Sequence, residues 1–176
     1  MDQEPKQVIT EFLIHHEWTN AEAATIHFFQ QRSLPQRQIH AVTFDNKEGQ
    51  QQHWLCITIQ DEQGHWCLQS AGPLGEAIDL PTQNYPWANL AAGNGKNTFW
   101  AGGTVTTHGL DIKRVRLIST DGNTLEDIVQ NNLVMFLSNR TFDMLFQVEL
   151  YDAKNVVVGT HIFPQQEFIP KAYKLP

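Results

Sequence analysis

The chain is short of cysteine, of charge and of uninterrupted apolar runs, and each shortage removes a class of protein. Only two cysteines occur among 176 residues, Cys56 and Cys67, too few for the disulfide framework of small secreted domains. At this length about two-thirds of the unfolded surface can be buried, so neither disulfides nor a structural metal are needed for folding. No apolar run approaches the ~20 residues of a bilayer-spanning helix, and no membrane partner is expected. Twelve basic residues stand against 19 acidic ones, a formal charge of -7, which is the wrong sign for the phosphate neutralisation behind nucleic-acid binding. Met1-Asp2-Gln3-Glu4-Pro5-Lys6 lacks the apolar core of a secretory signal, so the expected location is cytoplasmic, with both thiols reduced. On the same ground Asn139-Arg140-Thr141, which fits a glycosylation sequon, is read as a chance match.

What is present is aromatic surface: five Trp and ten Phe, far more than a disordered chain carries. The length suggests one domain, residues 1–176. Its first part, 1–34, reads as a helical cap. Pro5 suits a first helical turn, and Val8, Ile9, Phe12, Leu13 and His16 fall on one face. Thr19-Asn20-Ala21-Glu22 has the capping-box pattern, so a second helix is expected there, stopped by Ser33-Leu34-Pro35.

Residues 38–163 read as antiparallel β-structure. Alternation begins at Gln38, and His53–Gln60 and His65–Ala71 flank a turn around Asp61 to Gly64. A long irregular stretch is expected from Gly72 to Asn97, with Pro73, Pro81 and Pro86 in it. Strand patterns return at 98–107, 112–119, 124–129, 133–137, 145–151 and 156–163, with Thr120-Asp121-Gly122-Asn123 as the strongest hairpin turn. Residues 164–176, with Pro164, Pro170 and Pro176, read as an extended tail. Short connections favour antiparallel pairing, since parallel strands need long crossovers. The expected fold is therefore mainly β: an antiparallel sandwich with an N-terminal α-helical cap, or alternatively a lipocalin-like barrel. The run Val115-Arg116-Leu117-Ile118-Ser119-Thr120-Asp121-Gly122, followed by Val148-Glu149-Leu150-Tyr151-Asp152, resembles immunoglobulin-like sandwiches of uncharacterised bacterial proteins. The resemblance covers about the last third of the chain. It implies a fold and carries over no catalytic residue.

Catalytic motifs are missing. There is no His-Glu-x-x-His, no Gly-x-Ser-x-Gly and no Walker loop around Asn94-Gly95-Lys96. Cys56, His65 and Cys67 have ligand chemistry suited to zinc, but strand register decides whether the cysteines share a face. If Asp61 opposes His65 the two thiols point to opposite faces, and even in the favourable register, with Gln60 opposite His65, His65 lies roughly 13 Å from Cys56 along the strands. No metal or other cofactor is expected. Gly102-Gly103 within a strand pattern suggests a bulge or a close backbone approach. The remaining candidate is the long segment, where Tyr85, Trp87, Asn94, Lys96 and Trp100 mix aromatic faces with polar donors, as a sugar or protein contact would; the bland reading has the aromatics plugging one end of the core. The expected function is a noncatalytic binding or protein-interaction module, acting through this segment or an exposed sheet face, with a protein or small-molecule partner and a possible homodimer through a strand edge. The alternatives are an enzyme whose His, Cys and Asp residues meet only in three dimensions, and a lipocalin-like small-ligand carrier.

Overall fold

A computed structural model describes residues 4–74 and 86–164. They form one α-helix and eleven antiparallel strands, so the chain is mainly β. Where the length suggested one domain, two compact units divide the chain, Met1–Leu74 and Gly75–Pro176. No sheet among the described residues closes on itself, which removes the lipocalin-like barrel. No helix among them is long and apolar enough to cross a membrane.

The first unit is a helix on a four-stranded meander. Helix α1 (Pro5–His15) starts with proline in its first turn, where the missing N–H costs nothing. It buries Ile9 and Leu13 against Val42, Phe44, Trp54 and Cys56 of the sheet. The expected second helix does not form. Thr19, fully buried, donates its hydroxyl to the carbonyls of Leu13 at 2.8 Å and His16 at 3.1 Å. The capping-box residue thus satisfies the orphan C-terminal carbonyls of α1 instead of opening a new helix, and Asn20 turns the chain with φ 42°. After a single 3-10 turn at Ala23–Thr25, residues read as helical become strand β1 (His27–Leu34). The helical cap therefore ends at His15, not at residue 34. Pro35 sets one corner of the next turn and Gln36 takes φ 63°, the positions a type II turn assigns to them. Strands β2 (Arg37–Asp45), β3 (Gln51–Gln60) and β4 (Trp66–Pro73) follow, in the order β1-β2-β3-β4.

The second unit is a sandwich. Strands β5 (Trp87–Gly95), β6 (Thr98–Thr106) and β9 (Leu133–Ser138) make a three-stranded sheet in the order β5-β6-β9. Strands β7 (Ile112–Ser119), β8 (Thr124–Ile128), β10 (Phe146–Asp152) and β11 (Val157–Phe163) make a four-stranded one in the order β11-β10-β7-β8. Phe99, Ala101, Val134 and Phe136 from the first meet Val115, Leu117, Val148 and Leu150 from the second. These are alternate residues of each strand, so the opposite faces of β7 and β10 are free to be polar. Phe99, Phe142 and Phe146 close one end, with ring centroids 4.9–5.9 Å apart. The irregular stretch expected from Gly72 to Asn97 is corrected in part, because β5 occupies Trp87–Gly95; its residues 75–85 lie outside the described ones, as does nearly all of the expected tail. Gly103 marks a close approach: a Cβ there would sit 1.7 Å from the Asn89 carbonyl oxygen.

Candidate functional site

The residues singled out in the long segment are dispersed by the β5–β6 hairpin. Trp87 is 2% exposed and lies against the His161 ring at 4.9 Å, so it presents no face to solvent. Asn94 is exposed, and its carboxamide is engaged by the main chain of the β9–β10 connection. Its Nδ2 donates to the Phe142 carbonyl at 2.8 Å, and its Oδ1 accepts from the Phe142 N–H at 3.2 Å. Lys96 is exposed at the hairpin turn. Trp100 is half-buried and pairs across the strands with Gly93, where a Cβ would come within 2.7 Å of its ring. Trp87 pairs with Thr106, six residues from Trp100 and hence roughly 20 Å away along the hairpin. Tyr85 lies outside the described residues.

The cysteine register is settled by the β3–β4 turn. The Asp61 carboxylate accepts from the N–H groups of Gln63 and His65, both at 2.9 Å, and these bonds hold its pKa below the ordinary value, the one from His65 most of all. Asp61 N–H in turn donates to the His65 carbonyl, so Ile59 opposes Cys67 while Cys56 opposes Ala71. The thiols point to opposite faces. Cys56 packs in the core and burial pushes its pKa up to about 12, whereas Cys67 is exposed. Among the described residues no three His, Cys, Asp or Glu side chains gather as a metal would require. Two histidines are buried, one in each unit. His40 lies edge-on to Phe28 at 5.7 Å, and burial lowers its pKa to about 4, with Lys6 nearby adding to the effect. His161 accepts a hydrogen bond from the Ala88 N–H at 3.2 Å, and burial lowers its pKa to about 4 as well. Both are neutral core groups at pH 7.

The chemistry that does converge lies on the outer face of the four-stranded sheet. Strand alternation places Arg114, Arg116 and Ile118 of β7 on that face, and register sets Glu126 and Glu149 on either side of Arg116. Arg114 Nη1 and Arg116 Nε each reach the Glu126 carboxylate at 2.5 Å, and Arg114 also donates to Asn155 Oδ1. Both guanidiniums lie over the Tyr151 ring, at 4.0 and 5.0 Å from its centroid. Tyr151 O–H donates to Glu149 at 2.5 Å, and Gln147 Nε2 donates to the other Glu149 oxygen at 2.9 Å. Hydrogen bonds from Arg114 and then Arg116 hold Glu126 below the usual carboxylate range; partial burial first, then Glu149, raises Tyr151. The result is a fixed, charge-balanced ladder, with a guanidinium–aromatic stack at its centre.

Apolar groups surround this ladder. Ile128, 60% exposed, is the cross-strand neighbour of Arg114. Ile162 (49% exposed) and Leu145 (51% exposed) join Ile118 around a shallow depression of about 260 Å³ at the other end. None of these residues stood among the sequence candidates. Their only linear signal was the i, i+2 spacing of Arg114 with Arg116 and of Glu149 with Tyr151, which puts each pair on one side of a strand. No family model, curated protein or solved structure matches the chain.

Proposed function

We propose that the protein is a noncatalytic protein-interaction module and that the outer face of β8-β7-β10-β11 is its contact surface. The observation that carries this reading is the coincidence on one sheet face of an Arg–Tyr stack and three exposed large apolar side chains, Ile128, Leu145 and Ile162. Arginine is among the side chains that interfaces use most as anchors, Tyr151 lies buried beneath the pair as their support, and a rigid hydrogen-bonded ladder loses little conformational entropy when covered. Seven strands in sheets of three and four suit an immunoglobulin-like sandwich, the resemblance drawn from Val115–Gly122 and Val148–Asp152. An exposed thiol at Cys67 suits a reducing compartment such as the cytoplasm.

Affinity capture with the wild-type chain, Arg116→Glu, Ile162→Asp and Trp100→Ala tests the assignment. Partners retained by wild type and lost by folded Arg116→Glu and Ile162→Asp support the face. An unchanged partner set overturns it, and loss confined to Trp100→Ala would move the site to the β5–β6 hairpin.

A further inference from the structure

We infer that the outer face of β8-β7-β10-β11 pairs with the same face of a second copy of this chain, about a two-fold axis running along the strands between β7 and β10. The inference rests on the reading of that face as a contact surface and names its occupant.

Strand register sets the pairing. Arg116 and Glu149 are directly paired across β7 and β10, so they sit side by side at one height on the sheet. A two-fold rotation about an axis between those strands exchanges left and right and leaves height unchanged. Facing copies then bring Arg116 of each onto Glu149 of the other. Tyr151, 6% exposed beneath its own two guanidiniums, stays an internal contact of each chain. The charge pattern across this row is Glu126, Arg116, Glu149, acid–base–acid. A face of one sign would repel its own copy, whereas a balanced pair straddling the axis is self-complementary, as a closed two-fold interface demands. Apolar groups at the two ends, Ile128 at one and Ile162 with Leu145 at the other, are covered in the same approach.

The patch is modest. Four strands about 4.8 Å apart and five residues at about 3.4 Å each give roughly 20 by 17 Å, or about 700 Å² over both copies, below the ~1,200 Å² of stable specific interfaces and the size of a weak, transient contact. Each arginine already has a carboxylate partner in its own chain, so pairing adds a second partner at a desolvation cost. The dimer is therefore reversible, and salt weakens it.

Sedimentation velocity of the full chain from about 1 to 200 µM tests this. The expected result is a monomer–dimer equilibrium in wild type, weakened by roughly tenfold or more in Arg116→Glu and in Glu149→Arg alone. An equimolar mixture of the two variants should dimerise again, because every cross-axis contact is then between opposite charges. That recovery cannot come from repair within one chain. Circular dichroism verifies that each variant is folded; if either is not, Ile162→Asp replaces it and should also dissociate the dimer. A wild-type chain that stays monomeric at the highest concentration overturns the inference, as does a dimer that all variants retain or a mixture that fails to recover. A monomeric wild type whose other partners are still lost in Arg116→Glu would overturn the dimer alone and leave the contact-surface reading standing.

Discussion

His161 ties the stability of the sandwich to pH. The ring is buried against Trp87 at the start of β5, it accepts the Ala88 N–H, and burial lowers its pKa from 6.5 to about 4. In the unfolded chain the same imidazole titrates near 6.5. The folded pKa is depressed, so its contribution is fully present above pH 6.5 and is lost as pH falls toward 4: in that window the unfolded state binds the extra proton. Linkage between 6.5 and 4 gives a loss of about 2 kcal/mol between pH 7 and pH 5, rising to about 3 kcal/mol by pH 4. Urea unfolding at those pH values measures the total, and His161→Gln isolates the part due to this ring, since a carboxamide can accept from Ala88 without titrating. The variant should start less stable than wild type at pH 7 and should show a slope between pH 7 and 5 shallower by about 2 kcal/mol. Imidazole proton shifts in NMR give the direct reading, with His161 still neutral at pH 5. A His161 that titrates near 6.5 in the folded protein, or a variant with the wild-type slope, would refute the reasoning.

Gly103→Ala forces a Cβ to 1.7 Å from the Asn89 carbonyl oxygen, and the backbone shift required should cost about 2–3 kcal/mol; Gly72→Ala, whose Cβ meets nothing within 4 Å, should stay within about 0.5 kcal/mol of wild type in the same thermal melts. Thr19→Val removes the hydroxyl that donates to Leu13 and His16 and should cost about 1–3 kcal/mol in urea unfolding. Native protein should expose one thiol to a disulfide reagent, Cys67, while Cys56 reacts only on unfolding; two fast thiols would contradict the burial of Cys56.

Much of the strand content was legible because its signal is local. Period-two alternation and the Asp121-Gly122 turn locate β7 and β8, and Gly122 takes the expected left-handed conformation with φ 85°. Two elements were misread for identifiable reasons. Residues 27–34 hold their aromatics as the consecutive run His27-Phe28-Phe29, too short to set either period, and Thr19, which looked like an N-cap, is recruited by the preceding helix end. Strand β5 is built from Ala, Asn and Gly, residues with little β-preference; they are there because Trp100 lies over Gly93, while on the neighbouring strand Gly103 must approach Asn89. The candidate site was less legible still. Arg116, Glu126 and Glu149 come from three strands spread over 34 positions, and only the pairing register, which no single strand encodes, sets them side by side.

The grip of Asn94 on Phe142 is made entirely to main-chain atoms. It therefore reads the path of the β9–β10 connection without reading its residues. Any residue at 142 other than proline, which lacks the N–H, would satisfy it if it kept that path, while at 94 only a group that both donates and accepts across one plane will do. The stringency of this contact rests almost wholly on one of its two partners.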